Sequence, residues 1–143
     1  MNIVNLPLAA FLPGSYVPPG RHKIEVYRKF SRVDTFEQLD ELETEIRDRF
    51  GPLPETVLNM IEIKHLQLLA QPWQIDDIHL EEKYIVFRYR NRQKMELLAA
   101  RSGKRLRIVD HRSAYLVYQN EEGDRPDPRT AIKVLLQPLA IPL

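Results

Sequence analysis

The stretch from Asp34 to Pro54 leaves this chain the least freedom. Phe36, Leu39, Leu42, Ile46 and Phe50 recur at intervals of three and four residues, the period of one helix face, and a stripe so apolar has to be buried. Asp34 or Thr35 stands where a side-chain cap is wanted, with Glu37 or Gln38 three residues on to close a capping box. Gly51 supplies the residue that ends a helix easily, and Pro52 prevents its continuation.

Around this anchor the remaining elements fall into place. Val4 to Pro19 reads as an extended arm, because Pro7, Pro13, Pro18 and Pro19 each remove a backbone donor and bias their predecessors away from helix. The arm is apolar (Leu6, Leu8, Phe11, Leu12, Tyr16, Val17), so it is expected to lie against something. A helix over Arg21–Ser31 has Ile24, Tyr27, Arg28 and Phe30-Ser31 at spacings compatible with one apolar stripe. A third helix starts at Pro54-Glu55, where proline and an acidic side chain suit the first turn, and runs through Val57, Leu58, Ile61, Leu66, Leu68 and Leu69 to about Ala70.

After Trp73 the texture changes. Ile75–Leu80 and Tyr84–Arg90 read as strands joined through Glu81-Glu82-Lys83, with Ile85, Phe87 and Tyr89 on one face and Arg88 and Arg90 on the other. Gln93–Arg101 reads as a helix. Leu106–Val109 and Tyr115–Gln119 form a second strand pair around Asp110-His111-Arg112-Ser113, Asn120–Pro128 a loop, and Thr130–Leu139 a closing helix. The expected fold class is α+β: an N-terminal extended arm and three helices, then a small, mainly antiparallel sheet with packed helices in ββαββα order. Residues 1–20 are expected to be an arm and residues 21–143 one domain.

With 143 residues the chain can bury enough surface to fold without staples, and it contains no cysteine. That excludes disulfides, thiolate ligands and a thiol nucleophile, and fits a reducing, cytoplasmic setting. No apolar run approaches the ~20 residues of a membrane span, so no membrane partner is expected. The net charge of +1 conceals blocks of +4 (residues 1–33), −7 (34–62), +5 (63–112) and −1 (113–143). Fields of this kind steer partners.

Catalytic patterns are missing. The five glycines make no phosphate-cradling loop, the four histidines lack metal-ligand spacing, and no serine sits in a nucleophile elbow. No catalytic residue, cofactor or metal is therefore expected. Glu41, Glu45 and Asp48 share one exposed helix face at i, i+4 and i+7, and the face ends in Arg49. These four are the candidate protein-interaction residues: the carboxylates can receive a partner's arginines while Arg49 answers an acid. The alternative is a nucleic-acid-binding module in the basic stretch Arg88–Arg112, interleaved with Tyr84, Phe87 and Tyr89. That stretch lacks the aromatic pattern of RNA-binding sheets and a helix-turn-helix, so nucleic-acid binding by the domain is not the primary reading.

The run Leu42-Glu43-Thr44-Glu45-Ile46-Arg47-Asp48-Arg49-Phe50-Gly51-Pro52-Leu53-Pro54, with Val57 and Asn59-Met60, resembles the signature E-L-x-x-E-I-x-D-R-F-G-x-L-P-x-x-V of the C-terminal domain of bacterial transcription-repair coupling factors, the Mfd family. Val4-Asn5-Leu6-Pro7, Tyr16-Val17-Pro18 and Val26-Tyr27-Arg28-Lys29 are similar to the family's lead-in, from which Pro18-Pro19-Gly20 departs. The resemblance covers about half the chain.

It implies a piece of a longer ATP-driven DNA translocase that removes stalled RNA polymerase from DNA and recruits excision repair through a UvrB-like, UvrA-binding module. The arm would link the domain to the upstream motor. The domain itself would be a regulatory, autoinhibitory clamp that folds back on that module and hides its UvrA-binding surface. The face carried over is Glu45, Asp48 and Arg49.

Overall fold

A computed structural model describes residues 2–119 and 122–137. It contains β1 (Ile3–Asn5), α1 (Arg21–Arg32), α2 (Phe36–Phe50), α3 (Glu55–Ala70), a 3-10 turn (Gln71–Trp73), β2 (Ile75–Glu81), β3 (Tyr84–Tyr89), α4 (Arg92–Arg101), β4 (Leu106–Ile108), β5 (Ser113–Val117) and α5 (Pro128–Leu136). The architecture is α+β, as the pattern of periods requires. The chain groups into two compact units, one of Pro7–Leu68 and one of Met1–Leu6 with Leu69–Leu143.

In the helical unit the predicted α2 forms over its full length. Thr35 Oγ1 accepts the Gln38 N–H at 3.1 Å, while Gln38 Oε1 reaches back to the Asp34 N–H at 2.7 Å. Gly51 follows at φ 94°, in the region that favours glycine. Leu39, Leu42 and Ile46 enter a core with Leu12, Val17, Val26, Phe30, Val33 and Val57, against which Phe50 packs half-buried.

Two expectations fail here. Phe36 is 41% exposed: at the first turn it leaves the buried seam, with its ring 5.0 Å from the His65 ring between centroids. In α1 the buried stripe is Val26, Phe30 and the following Val33, at i, i+4 and i+7. Ile24 and Tyr27 lie outside it. Their spacing of three fits a helix face equally well, and spacing alone does not decide which face meets the core.

The arm is tied down from residue 9 to 16. Asn59 Nδ2 donates to the Ala9 carbonyl at 2.9 Å, Phe11 N–H reaches the Thr56 carbonyl at 3.3 Å, and the Tyr16 hydroxyl donates to the Gly51 carbonyl at 2.6 Å. Tyr16 also lies against Phe50, 5.8 Å between ring centroids. The apolar residues Leu12 and Val17 turn inward, which is where an apolar extended segment gains most from leaving water.

In the other unit the strand order is β1-β2-β3-β5-β4. Residues 3–5, read as arm, instead form a parallel edge strand, with Val4 opposite Ile78. The rest is antiparallel: Ile78 opposite Phe87, Ile85 opposite Leu116, and Leu106 also opposite Leu116. Ile85, Val86 and Phe87 are buried in succession, so the centre of β3 is covered on both faces and departs from simple alternation. β5 starts at Ser113, two residues before the expected Tyr115, because Asp110 Oδ1 takes the N–H groups of Arg112 and Ser113 at 2.9 and 2.8 Å and closes the turn early. α4 packs on β4 and α5. α5 begins at Pro128, capped by Asp127, whose carboxylate accepts the Arg129 N–H at 2.9 Å. Pro138 and Leu139, placed in this helix by the sequence pattern, lie outside the described residues.

Candidate protein-interaction site

The four candidate residues sit on α2, whose other side is fixed by Leu39, Leu42 and Ile46. Burial of that seam leaves Glu41 and Glu45 on the side that faces α1 and Asp48 in solvent. They are not equivalent. Glu45 Oε2 lies 2.6 Å from Lys29 Nζ on α1 and 3.7 Å from Arg49 Nη1. Glu41 and Asp48 are exposed, and neither has an ion-pair partner among the described residues. Glu41 stands with Glu45 at the edge of an open recess of about 270 Å³, floored by Val33 and Leu42 and closed on the α1 side by Lys29.

Arg49 is held from three directions. Its guanidinium carbon sits 5.0 Å from the Phe50 ring centroid, one terminal nitrogen is 3.2 Å from His22 Nδ1, and the other faces Glu45. A side chain with so little freedom left loses little entropy on meeting a partner carboxylate. His22 and Lys29, both on α1, join the site in space. Sequence reading missed them because helix-to-helix proximity has no local signature.

The basic stretch of the nucleic-acid alternative is partly engaged by its own fold. Within Arg88–Arg112, Arg90 pairs with Asp76 at 2.7 Å and Arg92 with Glu96 at 3.1 Å. Lys94 Nζ donates to the Pro72 carbonyl at 2.6 Å, and Arg101 lies over Trp73 while donating to the Gln137 carbonyl. Of the nine basic side chains in the stretch, Arg90 and Arg92 thus meet carboxylates, both at the surface, while Lys94 and Arg101 meet backbone carbonyls. Among the described residues no group of three His, Asp or Glu side chains is placed to hold a metal, and no helix is long and apolar enough to cross a membrane.

The model of the TRCF domain family matches residues 6–99. The chain belongs to the TRCF domain family. Its relatives include the transcription-repair-coupling factors of Staphylococcus aureus (strain USA300), 36% identical over 89 residues, and of Staphylococcus epidermidis, 33% identical over 100 residues. These matches cover 56% and 57% of this chain but only 8% and 9% of the relatives, so the TRCF domain corresponds to a small part of a long protein. A crystal structure described as the C-terminal domain of transcription-repair coupling factor has the same fold, with a TM-score of 0.73 and 21% identity, over 94% of this chain and 88% of that one. The structural likeness extends into the sheet unit, past residue 99 where the TRCF match ends.

Proposed function

We propose that this TRCF domain is a non-catalytic, autoinhibitory clamp. It docks through the exposed face of α2 from Glu41 to Arg49 onto the UvrB-like module of its own longer polypeptide and masks the surface that binds UvrA. RNA polymerase and DNA are engaged by other parts of that polypeptide, in the cytoplasm, and release of the clamp follows engagement of the polymerase.

One observation carries this reading: α2 keeps Glu41 and Asp48 exposed and without an ion-pair partner among the described residues, on the same helix as an Arg49 already fixed by Phe50, His22 and Glu45. Glu45 serves by holding Arg49 as well as by its own charge. A clamp that must let go needs polar contacts of moderate strength, with a coupling of about 1–3 kcal/mol, and an exposed charged face suits that better than an apolar one.

The test is binding of the 143-residue chain to the isolated UvrA-binding module by calorimetry. Saturable binding that weakens steeply with salt is expected. No binding at low salt, with both proteins folded, removes the basis of the proposal.

A further inference from the structure

The outward face of α1 carries a second, chemically different surface. Ile24 is 59% exposed, Tyr27 40% and Phe11 47%. Tyr27 and the residue after Phe11 are joined directly, since the Leu12 N–H donates to the Tyr27 hydroxyl at 2.9 Å. That bond uses the polar end of the tyrosine internally and leaves the ring as an apolar surface. Ile24 lies one turn before Tyr27 on the side of α1 away from buried Val26 and Phe30.

Arginines frame this patch. Arg21, Ile24 and Arg28 recur at i, i+3 and i+7, and Arg32 continues the row one turn on. All three arginines are exposed. None of them makes a side-chain hydrogen bond or ion pair among the described residues. Lys29, by contrast, is consumed by Glu45 on the flank facing α2. The outward face is therefore basic on balance, its arginines outnumbering the one exposed carboxylate of Glu25, which lies 4.0 Å from His22, and its centre is apolar.

We infer that this face is a docking surface for an acidic amphipathic helix of a separate protein. The partner's apolar side chains would cover Ile24, Tyr27 and Phe11, and its carboxylates would pair with Arg21, Arg28 and Arg32. Nucleic acid is the poorer occupant, because a phosphate backbone satisfies the arginines and leaves the three apolar side chains in water. Helix-on-helix recognition uses anchors at i, i+3, i+4 and i+7, the spacing found here, and guanidinium–carboxylate pairs add orientation. Arg32 also lines the recess beside Glu41 and Glu45, so the inference is carried by Arg21, Arg28 and the apolar groups, which do not line it.

The experiment titrates the 143-residue chain into a fluorescent 20-residue Glu/Leu-patterned helical peptide. A Gln-for-Glu version of that peptide and a 20-base-pair DNA duplex run in parallel. Saturable binding of the acidic peptide is expected, at least tenfold weaker for the Gln version. It should also be at least tenfold weaker for Arg21→Glu/Arg28→Glu and for Ile24→Ser, all exposed positions, and unchanged for Arg107→Glu, an exposed arginine of β4. Three outcomes overturn the inference: no saturable binding of the acidic peptide, loss on arginine reversal without loss for Ile24→Ser, or tighter binding of the duplex that the same arginine reversals abolish. Circular dichroism of each variant separates loss of binding from loss of fold.

Discussion

Lys29 Nζ lies 2.6 Å from Glu45 Oε2 and ties α1 to α2 across the edge of the recess. The pair binds together the two helices that carry the opposed faces, and it divides the row Glu41–Glu45–Asp48 into one engaged carboxylate and two unengaged ones. Both partners are about two-fifths exposed, so the pair stabilises the fold by only ~0.2–1 kcal/mol. A double-mutant cycle on Lys29→Met and Glu45→Gln by urea unfolding should return a coupling in that range, falling as salt is raised.

Lys64 on α3 is a costlier charge. It is only 6% exposed, and burial lowers its pKa below the ordinary lysine value, with Asp34 partly opposing. The unfolded chain binds the proton more tightly, so stability should rise as pH climbs from the lowered value toward about 10.4. Lys64→Met removes the buried ammonium, should raise stability by about 1 kcal/mol or more near neutrality, and should abolish that rise. Thermal unfolding across pH measures both effects.

Tyr16 has the opposite linkage. Burial raises its pKa, with Arg47 partly opposing, so the folded chain keeps a proton that the unfolded chain releases above about 10, and stability falls there as pH rises. Tyr16→Phe removes both that dependence and the hydrogen bond to the Gly51 carbonyl, at a cost of about 1 kcal/mol. Guanidinium denaturation of the variant at pH 7 and above 10 distinguishes the two contributions.

Asp127 caps α5, and hydrogen bonds from Arg129 hold its carboxyl below the ordinary aspartate value. The folded state therefore binds fewer protons than the unfolded one in that window. The stabilisation is present above about pH 3.9 and is lost as pH falls through the lowered value. Asp127→Ala should cost roughly 0.5–1 kcal/mol and flatten the acid limb, read by far-ultraviolet circular dichroism between pH 5 and 2.

What sequence could and could not provide follows from range. α2 was readable from end to end, because cap, stripe, Gly51 and Pro52 are all local signals. β2, β3 and α4 also came close to their final limits. Ile24 and Phe36 misled because helical spacing specifies a face without saying what lies beneath it, and in α1 the core takes Val26 and Phe30. Strand β1 was invisible because three residues gain strand character only from the partner β2, more than 70 residues away. On the candidate face, Glu41, Glu45, Asp48 and Arg49 follow from periodicity. The capture of Glu45 by Lys29, and the presence of His22 beside Arg49, depend on how α1 packs on α2.

The central claim is that the unpaired carboxylates of α2 hold a UvrA-binding surface shut, and charge reversal in a full-length coupling factor carrying this domain probes it directly. Glu41→Arg with Asp48→Arg should raise UvrA affinity by roughly 5–150-fold, the equivalent of 1–3 kcal/mol of coupling, with the unfolding midpoint of the domain unchanged. UvrA affinity equal to that of the unaltered protein, with the domain folded, would contradict the account.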